Sequence, residues 1–165
     1  LGIDDTGSCE RYLHENLLQP LNVSSKKYIA FDGKSNEPEK ECARIAQYLD
    51  EHGPIDLCIL GLGKNGHIAF NEPADSLHPC VYLAPLSETS LTHTMVKGTG
   101  AHIKYGLTLG MADIMLSKKI ILLVNGTAKK QIMDKLLEQK ISTQLPASLL
   151  WLHPDVQCFY CDNDN

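Results

Sequence analysis

The sequence lacks the two features that most directly indicate a membrane or a nucleic acid as partner. No apolar run approaches the ~20 residues that a transmembrane helix needs, so we expect no membrane span. Positive charge is not in excess either, because 15 Lys and Arg stand against 20 Asp and Glu, and the formal net charge is −5. Without a basic stripe to attract a phosphodiester backbone, we expect no nucleic acid as partner.

Metal motifs and a recognisable start are also missing. The segment that begins at His14-Glu15 lacks the second histidine of the H-E-x-x-H pattern, and the other histidines have no ligand-like spacing. The sequence therefore predicts no metal. The residues that follow Leu1 contain neither the basic nor the apolar region of a signal peptide, and there is no initiator Met. We expect the chain to be a fragment.

Cysteine is present but forms no framework. The six cysteines are scattered along the chain, most of them among apolar neighbours, where a thiol behaves as a small hydrophobic group. This usage is typical of a reducing cytoplasm, where we place the protein. Cys158 and Cys161 form a C-x-x-C pattern, but residues three apart in a strand point to opposite faces, so we interpret the pair as structural.

The length and the apolar pattern predict one domain over residues 1–165, built from alternating helices and strands. The 43% hydrophobic and 21% charged residues are typical of a globular domain. The predicted helices are the stretch from the cap Ser8 to Leu21, the stretch from Asn36 or Pro38 to Gly53-Pro54, Leu107 to Leu116, and the segment after Lys129. The predicted strands are Lys27 to Phe31, Ile55 to Leu60, Pro79 to Leu86, Lys119 to Val124 and Val156 to Tyr160. The pattern leaves a homo-oligomer open.

The alternation predicts an α/β fold: a doubly wound, Rossmann-like, mostly parallel sheet with helices on both faces. Ile55 to Leu60 and Lys119 to Val124 are nearly continuous apolar runs, which is typical of strands buried on both sides. Ligands of such sheets bind beyond the carboxyl ends of the strands. The loops 61–73 and 125–129 are therefore the candidate site.

The loop after the first of these strands combines glycines with an imidazole and a carboxylate. Gly61, Gly63 and Gly66 fit the G-x-G-x-x-G dinucleotide pattern, but the residues after Gly66 show no helical periodicity, so we do not expect NAD or FAD. Backbone of Gly61, Leu62 and Gly63 can instead approach a ligand closely. Within this frame His67 can move a proton near neutral pH, and Glu72 can orient it.

The run Gly61-Leu-Gly-Lys-Asn-Gly-His-Ile-Ala-Phe-Asn-Glu-Pro73 resembles the signature of the glucosamine-6-phosphate deaminase/isomerase family, and the resemblance extends over essentially the whole chain. The run that ends at His67, together with the later segment from Ser142 to His153, is more similar to the galactosamine-6-phosphate branch. Related 6-phosphogluconolactonases share only the Gly-His core. The resemblance implies that the N-terminal part of the fold is missing and that residues 1–165 are the C-terminal two thirds, or about that, of the family domain.

For individual residues, the resemblance implies that His67 opens the sugar ring and that Glu72 assists as a proton-relay partner. Glucosamine deaminases usually have an aspartate where this chain has Asn65. An amide cannot accept a proton, but it can orient His67 by hydrogen bonding. This departure bears on the sugar epimer and on the efficiency of ring opening rather than on the reaction class.

The second loop is the expected phosphate site. Thr127 can cap a helix whose first turn offers N–H groups to an anion, and Lys129 adds a positive charge. In the family a lysine at this turn contacts the substrate phosphate, and Lys129 aligns with it. A second basic ligand is expected between the two loops, where Lys97 and Lys104 are the candidates.

The resemblance also implies what lies outside this chain. The aspartate that transfers a proton between C1 and C2, and the main phosphate loop, precede Leu1 in the family. Serines at positions 87 and 90, near Thr92 and His93, lack the elbow sequence of a serine nucleophile, so we interpret them as loop residues.

The resulting hypothesis is conversion of galactosamine 6-phosphate to tagatose 6-phosphate and ammonia without a cofactor. The alternatives are a glucosamine-6-phosphate deaminase, a 6-phosphogluconolactonase and a sugar-phosphate-binding module without catalysis.

Overall fold

The computed structural model describes residues 1–91 and 103–163. Its α-helices are α1 (Cys9–Leu13), α2 (Pro38–His52), α3 (Glu88–Leu91), α4 (Met111–Met115) and α5 (Lys130–Leu137). Its strands are β1 (Leu57–Gly61), β2 (Tyr82–Pro85), β3 (Tyr105–Thr108), β4 (Lys119–Asn125) and β5 (Val156–Cys161). A π-helical turn (His14–Leu18) continues α1, and 3-10 turns lie at Ser25–Lys27, Thr127–Lys129 and Pro146–Leu152. Within the described ranges, no helix is long and apolar enough to cross a bilayer.

Three strands form a parallel sheet in the order β1-β4-β5, and β2 pairs with β3 in a separate antiparallel pair. The register places Ile59 beside Ile121 and Leu123 beside Phe159. Parallel neighbours require crossover connections, and the helices supply them. The predicted α/β fold with a mostly parallel sheet is confirmed.

The core packs against one face of this sheet. Side chains from β1 and β4 meet apolar residues of α4, α5 and the 3-10 turn at 146–152, and Ile114 and Ile120 are fully buried. On the opposite face, Ile59 is 60% exposed and Phe159 is 56% exposed. The prediction that β1 and β4 are buried on both faces is therefore wrong for the described residues. An apolar run fixes a strand, but burial depends on which elements pack against it.

Two predicted elements differ because strand pairing is a tertiary property. Residues 27–31 were predicted as a strand, yet they form none: Lys27 ends a 3-10 turn, and Tyr28 after it has extended dihedral angles but no strand partner among the described residues. The predicted helix from Leu107 is shorter. Leu107 belongs to β3 and pairs with Leu83 of β2, and the helix begins only at Met111. Cross-strand hydrogen bonds outweigh a weak helical periodicity.

The two N-terminal helices begin where predicted, but α1 ends at Leu13 and only a π-helical turn continues it to Leu18, short of the predicted Leu21. The Ser8 hydroxyl accepts a hydrogen bond from the Arg11 N–H at 3.4 Å, which confirms it as the cap of α1. α2 begins at Pro38 and ends before Gly53, as predicted, although Glu37 rather than Asn36 precedes it. α2 contacts both strands of the antiparallel pair.

Candidate active site

The loop that leaves β1 turns without forming a helix. Gly66 has φ of 87°, a left-handed conformation in which a side chain is strained, and a Cβ there would lie 2.2 Å from Leu145. The Gly63 N–H donates to the His67 carbonyl at 2.9 Å and closes the turn. No helix opens at the third glycine, as the residues after Gly66 predicted.

A buried asparagine fixes the second half of the loop. Asn71 is fully buried, and its amide N–H groups donate to the carbonyls of Leu109 at 2.9 Å and Ile68 at 3.2 Å. The Phe70 N–H donates to the Thr108 hydroxyl at 3.2 Å. These bonds tie the loop to β3 and to the residue that follows it, and they hold the next residue, Glu72, in one place.

His67, Asn65 and Glu72 lie in direct contact. The Asn65 Nδ2 donates to Glu72 Oε2 at 2.8 Å, and the Asn65 Oδ1 lies 2.8 Å from His67 Nδ1. His67 Nδ1 and Glu72 Oε2 are themselves 3.3 Å apart. The side chains of His67 and Glu72 are only 19% and 13% exposed. The three residues that the sequence singled out as catalytic are thus brought together.

These contacts fix the tautomer of His67. An ionised carboxylate only accepts hydrogen bonds, so the amide nitrogen of Asn65 must face Glu72 and the amide oxygen must face His67. That oxygen can only accept, which requires a hydrogen on Nδ1 of neutral His67. The lone pair then resides on Nε2, so Nε2 is the atom of His67 that can act as a base.

Glu72 stays ionised throughout the pH range of ordinary enzymes. Burial opposes its charge, but hydrogen bonds from His67, Ser90 and Asn65 outweigh burial and lower the pKa of Glu72 to about 2. The Ser90 hydroxyl donates to Oε1, the carboxylate oxygen that Asn65 does not use. This contact was not predicted, because Ser90 is 18 positions from Glu72 and lies in no motif.

Lys129 reaches the same loop from the turn after β4. Its ammonium group donates to the carbonyl of Leu62, the residue before Gly63. Two effects lower the pKa of Lys129: burial is the larger, and repulsion from Lys64 is the smaller. Two lysines therefore share this end of the sheet, and Lys64 was not among the predicted ligands. Thr127 does not hold the predicted cap position, because a 3-10 turn intervenes and Lys129 itself precedes α5.

The other predicted ligands fall in different places. Gly63 lies against the His67 ring, where a Cβ would be 2.3 Å from Nδ1, so only glycine fits. Gly61 is the last residue of β1, and a Cβ added to it would meet no other atom. Leu62 is buried. Lys104 is exposed just before β3, and its carbonyl accepts from the Leu86 N–H. Lys97 lies outside the described residues.

A cavity of about 260 Å³ opens beside Asn65. Its walls are Asn65, two lysines, two glutamines and two apolar residues, which are in chain order Lys64, Asn65, Gln131, Ile132, Lys135, Gln144 and Leu145. A larger cavity of about 520 Å³ lies between the N-terminal segment and the β2-β3 pair, and neither cavity is lined by His67, Glu72 or Lys129. The described residues hold no cluster of His, Cys, Asp and Glu suited to a metal ion.

Known proteins share both the sequence and the fold. The deaminase-type protein AgaI of Escherichia coli K12, whose designation is provisional, is 40% identical over 152 residues, covering 92% of this chain and 60% of its own. Glucosamine-6-phosphate deaminase 1 of Bacillus subtilis 168 is 35% identical over 158 residues, covering 94% of this chain and 65% of its own. The chain thus spans less than two thirds of these relatives.

The solved structure of a monomeric glucosamine-6-phosphate deaminase superposes with a TM-score of 0.88 at 33% identity, over 97% of this chain and 67% of that one. The profile of the glucosamine-6-phosphate isomerases/6-phosphogluconolactonase family matches residues 2–159, which includes the relay loop and the Lys129 turn. This chain therefore belongs to the family of glucosamine-6-phosphate isomerases and 6-phosphogluconolactonases.

Proposed function

We propose that the protein is an isomerase/deaminase of 2-amino-hexose 6-phosphates, with galactosamine 6-phosphate as substrate and tagatose 6-phosphate and ammonia as products. The observation that carries the proposal is the relay of His67, Asn65 and the ionised Glu72, beside the Lys129 turn. The relatives named as deaminases support the reaction class. The similarity of the relay loop to the galactosamine branch favours the sugar.

Ring opening is the step that this chain's residues support. His67 Nε2 takes the proton of the O1 hydroxyl and returns it to the ring oxygen, while the bond between C1 and that oxygen breaks and C1 becomes a carbonyl. The imidazolium that forms in between is stabilised by Glu72 Oε2, 3.3 Å from Nδ1. Because the carboxylate is already charged and fixed, it need not reorganise during the step.

The later steps use a group that the family resemblance places before Leu1. An aspartate moves the C2 proton to C1 through an enolamine, the nitrogen counterpart of an enediol, while O1 gains a proton and the amine nitrogen loses one, which leaves an imine at C2. Water adds to this imine, the C–N bond breaks, and ammonia and the ketose 6-phosphate are released. No cofactor is needed, because no electron leaves the substrate.

Phosphate binding falls to the turn after β4. The Lys129 ammonium is held on the Leu62 carbonyl, and the His67 ring packs on Gly63, the residue after Leu62. A phosphate at Lys129 would also relieve the repulsion from Lys64. We therefore assign Lys129 to the phosphate and the backbone of residues 61–63 to the sugar. Lys97 and Lys104 are the candidates for a second phosphate ligand.

The test is ammonia release by the full-length natural polypeptide that contains this sequence. We expect release from galactosamine 6-phosphate at a higher kcat/KM than from glucosamine 6-phosphate. His67→Gln should remove most of it, since glutamine cannot carry a proton, whereas His52→Gln, at the exposed end of α2, should keep it. No ammonia from either sugar contradicts the proposal, and a preference for glucosamine 6-phosphate corrects the epimer.

Two further measurements distinguish the alternatives. Hydrolysis of 6-phosphogluconolactone without ammonia release would identify a lactonase, the other activity named for this family. Calorimetric binding of both amino-sugar phosphates without turnover would identify a binding module.

A further inference from the structure

Ser90 is a buried serine whose hydroxyl is committed to the relay. It is 7% exposed, and its hydroxyl donates to Glu72 Oε1. Its position is set by α3, because the Ser90 N–H donates to the Ser87 hydroxyl at 3.2 Å and the Leu91 N–H donates to the Ser87 carbonyl at 2.9 Å. The serine therefore approaches the carboxylate from an element that is remote in sequence from the loop.

With the hydrogen bond from Ser90, both carboxylate oxygens of Glu72 have a donor. Oε2 accepts from Asn65 at 2.8 Å, and Oε1 accepts from Ser90, so neither oxygen can turn away without losing a donor. A carboxylate torsion is soft by itself, because its last side-chain angle has broad minima. Hydrogen-bond donors on both oxygens fix this torsion, and they also favour the ionised form of the carboxyl group.

The charge of Glu72 sets the direction of the two hydrogen bonds that link Glu72, Asn65 and His67. Glu72 accepts from the Asn65 amide nitrogen, and the Asn65 oxygen accepts from His67 Nδ1–H. If Glu72 were protonated or rotated, the amide could flip and present its nitrogen to His67. Neutral His67 would then carry its hydrogen on Nε2, the atom that ring opening needs as a base.

We propose that Ser90 is a positioning residue that, through Glu72 and Asn65, keeps His67 in the Nδ1–H tautomer. The inference rests on the proposed function, since the Nε2 lone pair is assigned there to ring opening. Ser90 does not itself exchange a proton with the sugar. It acts on the rate of the proton step rather than on the affinity for the sugar phosphate.

Three substitutions at one position test the proposal. Ser90→Ala removes the donor, Ser90→Cys keeps a side chain of similar shape with a weak donor, and Ser90→Thr keeps the hydroxyl. A hydrogen bond to a charged group predicts that Ala and Cys lower kcat roughly tenfold or more while KM stays within about twofold, and that Thr retains most of kcat. The second measurement is the ¹⁵N spectrum of histidine-labelled protein, which reports which nitrogen of His67 carries the hydrogen.

The outcomes separate a positioning role from a packing role. We expect wild type and Ser90→Thr to show the Nδ1–H form of His67, and Ser90→Ala and Ser90→Cys to show a mixture or the Nε2–H form. If Ser90→Cys keeps wild-type kcat and the Nδ1–H signal, packing alone suffices and the proposal is overturned. If wild type releases no ammonia, the proposed function fails, and the His67 spectra of the folded variants still decide whether Ser90 sets the tautomer.

Discussion

The charge of Glu72 makes a measurable prediction for stability against acid. Burial disfavours this carboxylate, yet hydrogen bonds from His67, Ser90 and Asn65 hold its pKa at about 2, against a usual value of 4.5. A depressed pKa in the folded state means that the ionised group stabilises the fold above pH 4.5 and that this contribution is lost as the pH falls towards 2. At 1.36 kcal/mol per unit, the shift corresponds to about 3.4 kcal/mol in the free energy of unfolding.

The perturbation is Glu72→Gln, which removes the titration while keeping the size of the side chain. From the two pKa values, the wild-type protein should lose about 1.2 kcal/mol of this contribution between pH 5 and pH 3.5. Over that interval, the difference in unfolding free energy between wild type and Glu72→Gln should shrink by this amount. Urea unfolding at a series of pH values measures it.

Glu39→Gln is the matched control, because Glu39 is exposed on α2 and far in sequence from the relay. Its stability curve should run parallel to that of wild type. If the Glu72→Gln curve is also parallel to wild type between pH 5 and pH 3.5, then Glu72 does not titrate as the hydrogen bonds require. The reasoning about a fixed, ionised carboxylate would then be refuted.

The remaining predictions concern the phosphate site and the loop. Lys129→Met should raise KM for the sugar phosphate roughly tenfold or more, while Lys130→Met, one exposed position further on, should not; equal KM values would remove Lys129 from the site. Gly66→Ala should destabilise the protein by about 1–3 kcal/mol in chemical unfolding because of its positive φ, whereas Gly61→Ala, in open space, should cost less than that. Asn71→Ala should cost about 2–4 kcal/mol, since two carbonyls lose their buried donor, and a smaller change in thermal or chemical unfolding would contradict the anchoring role.

The extent of sequence prediction differs between the two parts of the site. The relay loop is continuous in sequence, so the glycines, Asn65, His67 and Glu72 could be identified from their spacing and their family resemblance. The positions of the donors around Glu72 could not, because Ser90 reaches it from α3. Lys64 was overlooked for a related reason: its effect on Lys129 depends on the distance between two loops.

Local elements show the same division. The starts of α1 and α2 follow from Ser8 and Pro38, since capping and proline act within one turn. The strand predicted at 27–31 failed, and so did the first residues of the predicted helix at 107–116. In both cases the decisive factor was the presence or absence of a pairing partner, which no local window contains.

The family, the α/β class and the candidate residues His67, Asn65 and Glu72 could all be identified from the amino-acid sequence, because they depend on patterns within short stretches of chain. The tertiary structure places the core on one face of the sheet and leaves Ile59 and Phe159 exposed on the other. It also decided the protonation pattern of the relay, through the serine of α3 that holds Glu72. Both depend on which groups meet across long sequence separations, and burial and hydrogen-bond direction are properties of those meetings.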